Sequence, residues 1–384
     1  MHVLILPSWY PRFEGDAEGS FFRDQAQGLA ELGLQVGVAF ADLRGPRQVR
    51  RGTTGGVTIR MDGIIQEVRS HGFNWFPRIY PGFERLWLRH ISIAVNEYVT
   101  RFGHPDIVHA HSMEPAAVAA EKISREFGIP FVTTEHSTAH ILRPVSSSKR
   151  SKFKRLAARS SSNLAVSEMF AEALNESYGG NWHYQPNIVA SRFFTAPLVR
   201  REGATTRLVT VGYLTRRKRV DLIIEAVAFL RKRGFDVALT IVGDGPERGA
   251  LTELVKGLGV LEHVEFVGQV SIFDMPTAMS RGHILVSASE FETFGVTLIE
   301  GMALGMPIVA TRSGGPNSIV KPNLGRLVDE WSVEALAEAI AAVVVDFADY
   351  PAKEIRDECA SVYSTPVVCA ALDAIYQRAC GDAR

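Results

Sequence analysis

The sequence predicts an α/β protein built from two doubly wound parallel sheets. Three observations carry this. Each half of the chain repeats a short apolar run, a glycine-bearing loop and a helical segment, the pattern of β-loop-α units that lie parallel. The repeat is interrupted over 184–204, where a domain boundary is expected. The length of 384 residues suits two to three domains.

Composition narrows the class. Hydrophobic content of 46% and charge of 22% are those of a soluble globular protein. No apolar run reaches the roughly 18–20 residues that a membrane span needs. The opening MHVLILPSWYPRFEG has no basic leader and stops being apolar at Ser8, so it reads as a first buried strand and not a signal peptide. Cys359, Cys369 and Cys380 suggest neither a disulfide framework nor a metal site, and a reducing cytosol is the simplest compartment. Residues 1–196 carry 22 basic against 18 acidic side chains, the remainder 20 against 24. The first half is therefore the half expected to face an anionic partner, such as a membrane surface or a phosphorylated substrate.

In the first half, 2–6 is a buried strand that Pro7 to Pro11 ends. A loop with Gly15 and Gly19 leads into a helix over 20–32, and 36–40 is the next strand. Gly15 and Gly19 lack the Gly-x-Gly-x-x-Gly spacing, so NAD is not expected. Instead Gly19 opens a helix N-terminus to a ligand; an ordinary connecting loop is the alternative. Residues 44–63 read as a basic loop and hairpin on the rim. The aromatic run 73–89 is an acceptor-binding or membrane-touching segment, or a packed loop leading into a helix over 84–102.

Strands over 106–110 and 131–134 flank a helix over 115–127, and three histidines, His109, His111 and His136, lie at or near the strand ends. His109 and His111 share one face by period-two alternation, and no acid–histidine helix motif accompanies them, so metal is not expected. A histidine at such a position suits hydrogen bonding to hydroxyls. Residues 143–159 hold seven basic side chains and no acid, either a surface for anionic lipid or a solvated helix face. A strand over 163–166 and a helix over 167–178 complete the half.

The second half runs strand 208–211, helix 221–233, strand 238–242, a helix to 258, strand 264–267 and a short helix over 273–279. Four cations, Arg216 to Arg219, stand between a strand end and a helix start, which makes an anion site, with an exposed basic turn as the alternative. The stretch 284–320 is the most informative. A strand over 284–286 leads to a turn with Glu290 and Glu292, and Phe294-Gly295 opens a helix carrying Glu300. A second strand (307–310) ends in Ser313-Gly314-Gly315, and a strand over 325–328 and a helix over 333–345 follow.

A helix that starts near Gly295 points free N–H groups and its positive end into the loop, a seat for phosphate. Glu300 lies roughly 7.5 Å along the axis, at about 1.5 Å per residue. It could reach hydroxyls beside the phosphate, and Glu292 a group on the other side. That arrangement suits a nucleotide-sugar. Taken alone, the pair reads as a cap and a solvated face residue. The natural ligand site is the cleft between the two sheets.

The chain resembles a family 4 glycosyltransferase of the GT-B fold over nearly its whole length. The matching residues are SWYP with GSFFRDQAQGLAELG (8–33), PDIVHAH (105–111), TTEHS (133–137), AVSE (165–168) and PNIVASRF (186–193). They continue as VGYLTRRKRVDLIIEAV (211–227), IVGDGPE (241–247), and ETFGVTLIEGMALGMPIVAT with SGGP (292–316). The resemblance implies retaining transfer of a sugar from a nucleotide-sugar, a UDP- or GDP-sugar, to a polysaccharide, glycolipid or other hydroxyl acceptor. It implies that Lys218 holds the donor diphosphate, Glu300 the ribose and Glu292 the sugar hydroxyls. Backbone amides of Phe294, Gly295 and Val296 take phosphate or sugar oxygens, His136 contacts the sugar near the reacting carbon, and Gly19 lines the phosphate and acceptor region. The implied donor site also takes in Tyr213, Arg217, Arg219 and Gly243, with base contacts from backbone near Gln269-Val270.

Three positions depart from the family. Tyr213 stands where Arg is usual, Arg219 where Gly is usual, and Asn317-Ser318 follow Ser-Gly-Gly-Pro where an acid is common. Arg216, Arg217 or Arg219 could supply the charge missing at Tyr213. No Asp-x-Asp pair ends a strand, so no metal is expected. Nucleic acid is not an expected partner. The expected domains are 1–196 on the acceptor side and 197–364 for the donor, with 365–384 a helix that packs back on the first. The expected setting is the cytoplasm, peripheral to the inner membrane face through 143–159. The competing readings are a nucleotide-sugar 2-epimerase and a non-catalytic nucleotide-sugar-binding subunit.

Overall fold

The structure is a computed structural model that describes residues 1–45, 55–76, 79–142 and 144–381. The centre of the basic loop (46–54), Pro77 and Arg78 of the aromatic run, and Arg143 at the head of the basic stretch lie outside the described residues. The chain divides into two compact units, Met1–Pro186 with Thr365–Arg384, and Asn187–Ser364. The division falls at Pro186/Asn187, ahead of the expected 196/197. Residues 187–196 are tied to the second unit: the Val189 amide donates to the Tyr363 carbonyl at 2.9 Å, and the Arg356 guanidinium donates to the Phe194 and Ala196 carbonyls.

The first unit holds an eight-stranded sheet. Its strands are β1 (His2–Pro7), β2 (Gln35–Arg44), β3 (Val57–Asp62), β4 (Ile65–Phe73), β5 (Ile107–His111), β6 (Phe131–Glu135), β7 (Ser162–Ala165) and β8 (Trp182–Tyr184). The order is β3-β4-β2-β1-β5-β6-β7-β8. Among the described residues of this sheet, only the edge pair β3–β4 is antiparallel. Every residue of β1 is buried, as expected for a central parallel strand covered on both faces. Helix Tyr80–Phe102 packs Trp87, Ile91, Ala94 and Tyr98 into the core beside Leu4, Leu6 and Val68.

Two expectations change here. The hairpin spans β3 and β4, later in the chain than 44–63, and the helix after the aromatic run begins at Tyr80, with Pro81 in its first turn. Proline fits there because the first-turn N–H has no helical partner. The polar sequence of β4 hides a buried strand. Buried Glu67 accepts from Arg60 at 2.7 Å and from Arg69, and buried Asp42 accepts from Arg44 at 2.8 Å.

The second unit holds six strands, all parallel: β9 (Thr206–Val211), β10 (Val237–Val242), β11 (Val264–Gly268), β12 (Ile284–Ser287), β13 (Ile308–Thr311) and β14 (Gly325–Val328). Their order is β11-β10-β9-β12-β13-β14. The strand order reverses between β9 and β12, which makes that pair the place where ligands bind in an open α/β sheet.

Helix Thr365–Gly381 belongs to the first unit and packs on helix Ser20–Glu31. Gly28 is what lets them meet, since a Cβ there would lie 2.1 Å from Thr365 Cγ2 and 2.8 Å from Cys369 Sγ. Gly28→Ala should therefore cost about 1–3 kcal/mol through overpacking. Thermal unfolding should show a lower midpoint that Thr365→Ser partly restores. An unchanged midpoint would mean the two helices are not in close contact.

Candidate functional site

In the second unit the site is built at the carboxyl ends of β9, β10, β12 and β13. Parallel strands deliver all these ends to one edge, and glycines let the loops stack there. A Cβ on Gly243 would lie 2.0 Å from the Gly212 carbonyl oxygen, and one on Gly315 would lie 2.1 Å from that of Phe294. Side chains at these points would meet backbone, which cannot rotate away. Hydrogen bonds tie the loops together. Glu292 N–H donates to Ser313 O (2.8 Å), Gly315 N–H to Glu292 O (2.7 Å) and Glu290 N–H to Arg217 O (2.9 Å).

On this scaffold Lys218 Nζ meets Glu292 Oε2 at 2.6 Å, with both side chains about a fifth exposed. Partial exposure leaves each group reachable by a ligand. Beside them, Gly295 takes the left-handed φ of 104° as N-cap of helix Val296–Ala303. Few residues but glycine adopt that conformation. The Phe294 ring is buried edge-on against Tyr363, 5.9 Å between centroids. Its contribution to the loop is therefore backbone. Glu300 is half-buried on the same helix, five positions past Gly295. A small polar hollow is lined by Thr210, Gly212, Lys218, Ser287 and Ser289.

The four cations part company. Lys218 faces Glu292, whereas Arg219 pairs with Asp221 at 3.0 Å and approaches Glu290 at 3.8 Å. The Arg216 side chain is 93% exposed, 3.9 Å from Glu247. Arg217 enters the loop network through its carbonyl. Arg219 also adopts the left-handed φ of 47°. A side chain there costs roughly 1–2 kcal/mol, which accounts for a position that glycine would fill more easily. Tyr213 points to solvent at 68% exposure. Gly243 donates to the Gly268 carbonyl at 2.8 Å, next to exposed Gln269 and half-buried Val270.

His136 and Gly19 lie in the first unit and come together there through one helix. Gly19 is the left-handed N-cap of helix Ser20–Glu31 (φ 76°), pressed against Trp9 and Tyr10. Phe21 and Phe22, in the first turn of that helix, put their rings 5.3 and 4.9 Å from that of His136. His136 Nε2 is 3.0 Å from His111 Nδ1. His109 bonds Tyr376 Oη at 2.6 Å and Thr134 Oγ1 at 2.7 Å. Burial holds all three imidazoles below their usual range, His136 at about 4 and His109 at about 3.

Three features of the first unit were not anticipated from the sequence. Buried Glu135, directly before His136, accepts from the amides of Met113 (2.6 Å), His136 (2.8 Å) and Ser137 (2.7 Å). Burial opposes its ionisation, but the nearby His140 and these amides hold its carboxyl down at about 2. Its signal was an acid at a strand end, overlooked beside the histidine. The second feature is a cavity of about 360 Å³ lined by Trp9, Arg12, Glu18, Leu43, Asn74 and Phe83 among others, drawn from segments too scattered to read as a motif. The third is the pairing of the basic helix Ser147–Arg159. Lys149 and Lys152 bond Glu114, Lys152 also bonds Glu84, and Arg155 and Arg159 pair with Glu121.

Sequence comparison gives the class of the protein. The model described as Glycosyl transferases group 1 matches residues 200–354, and that described as Glycosyltransferase Family 4 matches residues 19–191. The chain belongs to the family 4 glycosyltransferases. It is 29% identical over 356 residues to the putative teichuronic acid biosynthesis glycosyltransferase TuaC of Bacillus subtilis, covering 88% of each chain. It is 32% identical to a GDP-mannose-dependent phosphatidylinositol monomannoside mannosyltransferase of Mycolicibacterium smegmatis, over 43% of this chain and 47% of that protein. Among solved structures it resembles sucrose-phosphate synthase from Thermosynechococcus elongatus (TM-score 0.80, 19% identity, 98% of this chain and 99% of that one). It also resembles HepE of Anabaena in complex with UDP (TM-score 0.70, 18% identity, 98% and 100% covered). The fold is GT-B, two parallel-sheet α/β domains.

The buried histidines set a pH dependence. Their folded pKa values lie below the unfolded value of about 6.5, so the unfolded chain binds more protons as pH falls below that value. Their stabilisation is present above it and is lost as pH falls toward the folded values near 4 and 3. His140 is shifted upward and works in the opposite sense, offsetting part of the loss. Urea unfolding should therefore show a clearly lower midpoint at pH 5 than at pH 7.5. Equal midpoints would mean the three rings are open to water.

Proposed function

We propose that this glycosyltransferase moves a sugar with retention from a UDP- or GDP-sugar to a hydroxyl of a glycan or lipid-linked acceptor, without a metal ion, in building a polysaccharide or glycolipid. The observation that carries the reading is the Lys218–Glu292 contact beside the N-terminus of helix Val296–Ala303, with Glu300 further along that helix. Lys218 and the amides of Gly295 and Val296 would neutralise charge that builds on the departing diphosphate, a preorganised electrostatic device. Glu300 would accept from the ribose hydroxyls and Glu292 from those of the sugar. The bound UDP of HepE and the GDP-mannose named for the mycobacterial relative support the two donor classes.

In the reaction proposed, the bond from C1 to the phosphate oxygen breaks while the acceptor oxygen bonds C1 on the same face. The hydroxyl proton passes to the phosphate oxygen that leaves. This avoids a glycosidase-type carboxylate nucleophile, and trapping a glycosyl-enzyme at a carboxylate would overturn it. The acceptor sugar would lie in the cavity between Trp9, Arg12 and Phe83, where aromatic faces take its C–H surface and Arg12 its oxygens. Peripheral contact with an anionic membrane at its cytoplasmic face would rest on Arg150 and Lys154, which stay exposed on the basic helix.

Thermal-shift screening of UDP, GDP, ADP and their sugars tests the donor class, since a ligand of the folded state raises its apparent stability. Glu300→Ala should weaken nucleotide binding about 10-fold, near the cost of one hydrogen bond to a charged group. Glu292→Ala should instead lower kcat about 100-fold with nucleotide affinity kept. Unchanged kinetics for both would remove this loop from the site. Proton NMR of the first-formed product reports the anomer, and an unaltered rate in EDTA is expected.

A further inference from the structure

One carboxylate holds the turns that follow β5 and β6. Glu135, the last residue of β6, is fully buried. Its Oε1 accepts from the His136 amide at 2.8 Å and the Ser137 amide at 2.7 Å. Its Oε2 accepts from the Met113 amide at 2.6 Å, and His140 Nε2 lies 3.2 Å from the same oxygen. The first two donors belong to the turn that carries His136. The Met113 amide belongs to the short helical turn after β5, which follows Ser112 in a left-handed conformation (φ 77°).

That second turn is gripped from its other side as well. Ser8, one residue past β1, donates through Oγ to the His111 carbonyl at 2.8 Å and accepts from the Ala116 amide at 3.3 Å. β5 lies between β1 and β6 in the sheet, so its turn links Ser8 on one side to Glu135 on the other. Ser8 and its neighbour Trp9 line the cavity of about 360 Å³. The Glu135 carboxylate thus ties the backbone of His136 to the wall of that cavity.

A carboxylate is the group that this junction demands. Four donors converge on it, two at each oxygen, and an ionised carboxylate accepts at both oxygens and donates at neither. Its bonds to the amides are charge-assisted and of the stronger kind. Glutamine has the same shape but carries one NH2 group. Whichever way it turned, that group would face two donors.

We propose that Glu135 is a positioning residue that sets His136 at a fixed distance from the cavity wall, and so sets the geometry in which sugar and acceptor react. This rests on the transfer reaction proposed above and deepens it. Glu135 touches no substrate, because both its oxygens are taken. Burying a charge is an expensive way to stabilise an interior that apolar side chains would hold as well. What the charge adds here is a single arrangement of two turns.

Glu135→Gln keeps the packing and breaks the clamp. In transfer assays it should lower kcat about 100-fold, the scale on which a misplaced reacting group acts. The affinity for UDP or GDP, whose seat is in the second unit, should stay nearly unchanged. A double-mutant cycle with His136→Ala reads whether the loss passes through His136. In that background Glu135→Gln should cost little more, because the group it positions is gone. Full additivity of the two losses overturns the proposal. So does a Glu135→Gln protein that melts earlier yet turns over normally when folded.

Hydrogen exchange in the wild-type protein gives an answer that needs no variant. The amides of Met113, His136 and Ser137 lie outside β5 and β6, yet should exchange as slowly as those within these strands. Fast exchange at the three positions overturns the clamp, whether or not Glu135→Gln folds. If the protein binds no nucleotide and transfers no sugar, the functional reading fails by itself, and the exchange result still decides whether Glu135 holds the two turns.

Discussion

Only glycine at position 315 lets two loops of the second unit lie together, with a would-be Cβ 2.1 Å from the Phe294 carbonyl oxygen. The stacking fixes where Glu292 and Gly295 stand. The Glu292 backbone is bonded on both sides to the 313–315 turn, so its carboxylate leaves the loop in one direction, toward Lys218. The helix that starts after Gly295 inherits its position from the same stack. Its free amides and the Lys218 ammonium therefore share one small region of positive potential. The parallel sheet makes this affordable, because loops with no hairpin to close are free to specialise.

How much of this could be read beforehand depended on where the partners lie. β1 was legible because all six of its residues are buried in sequence. β4 was not, because Glu67, Arg69 and His71 look like a surface. Their burial is offset by Arg60 on β3 and by Asp42 on β2, which only the sheet brings near. The ion pairs of the basic stretch 143–159 were hidden in the same way, since it holds no acid of its own and takes its acids from Glu84, Glu114 and Glu121. In the site, the start of the helix near Gly295 was readable from a glycine in a turn. The Lys218–Glu292 contact joins residues 74 apart in the chain and needed the strand order β9-β12.

The two units handle charge differently. The second leaves Lys218 and Glu292 at the strand ends partly exposed, so that a ligand can compete for them. The first buries Glu67, Glu135 and Asp42, and with them the row His109, His111 and His136. Buried carboxylates persist there because each is enclosed by donors or cations. The histidines persist by staying neutral, since an isolated buried charge would cost far more than the hydrogen bonds return. A buried histidine such as His136 therefore gains a fixed orientation and gives up the ability to titrate near pH 7.

The first unit also depends on chain that comes after the second. His109 has one nitrogen on Thr134, in the adjacent strand, and the other on Tyr376 in helix Thr365–Gly381. Without that helix, a buried imidazole would lack a partner, at a cost of roughly 1–3 kcal/mol, and Gly28 would face solvent where Thr365 now packs. The stack from His109 through His111 to His136 is therefore complete only once residues 365–381 have docked. The histidine row is consequently a product of tertiary closure and not of the β5 and β6 segments that supply it.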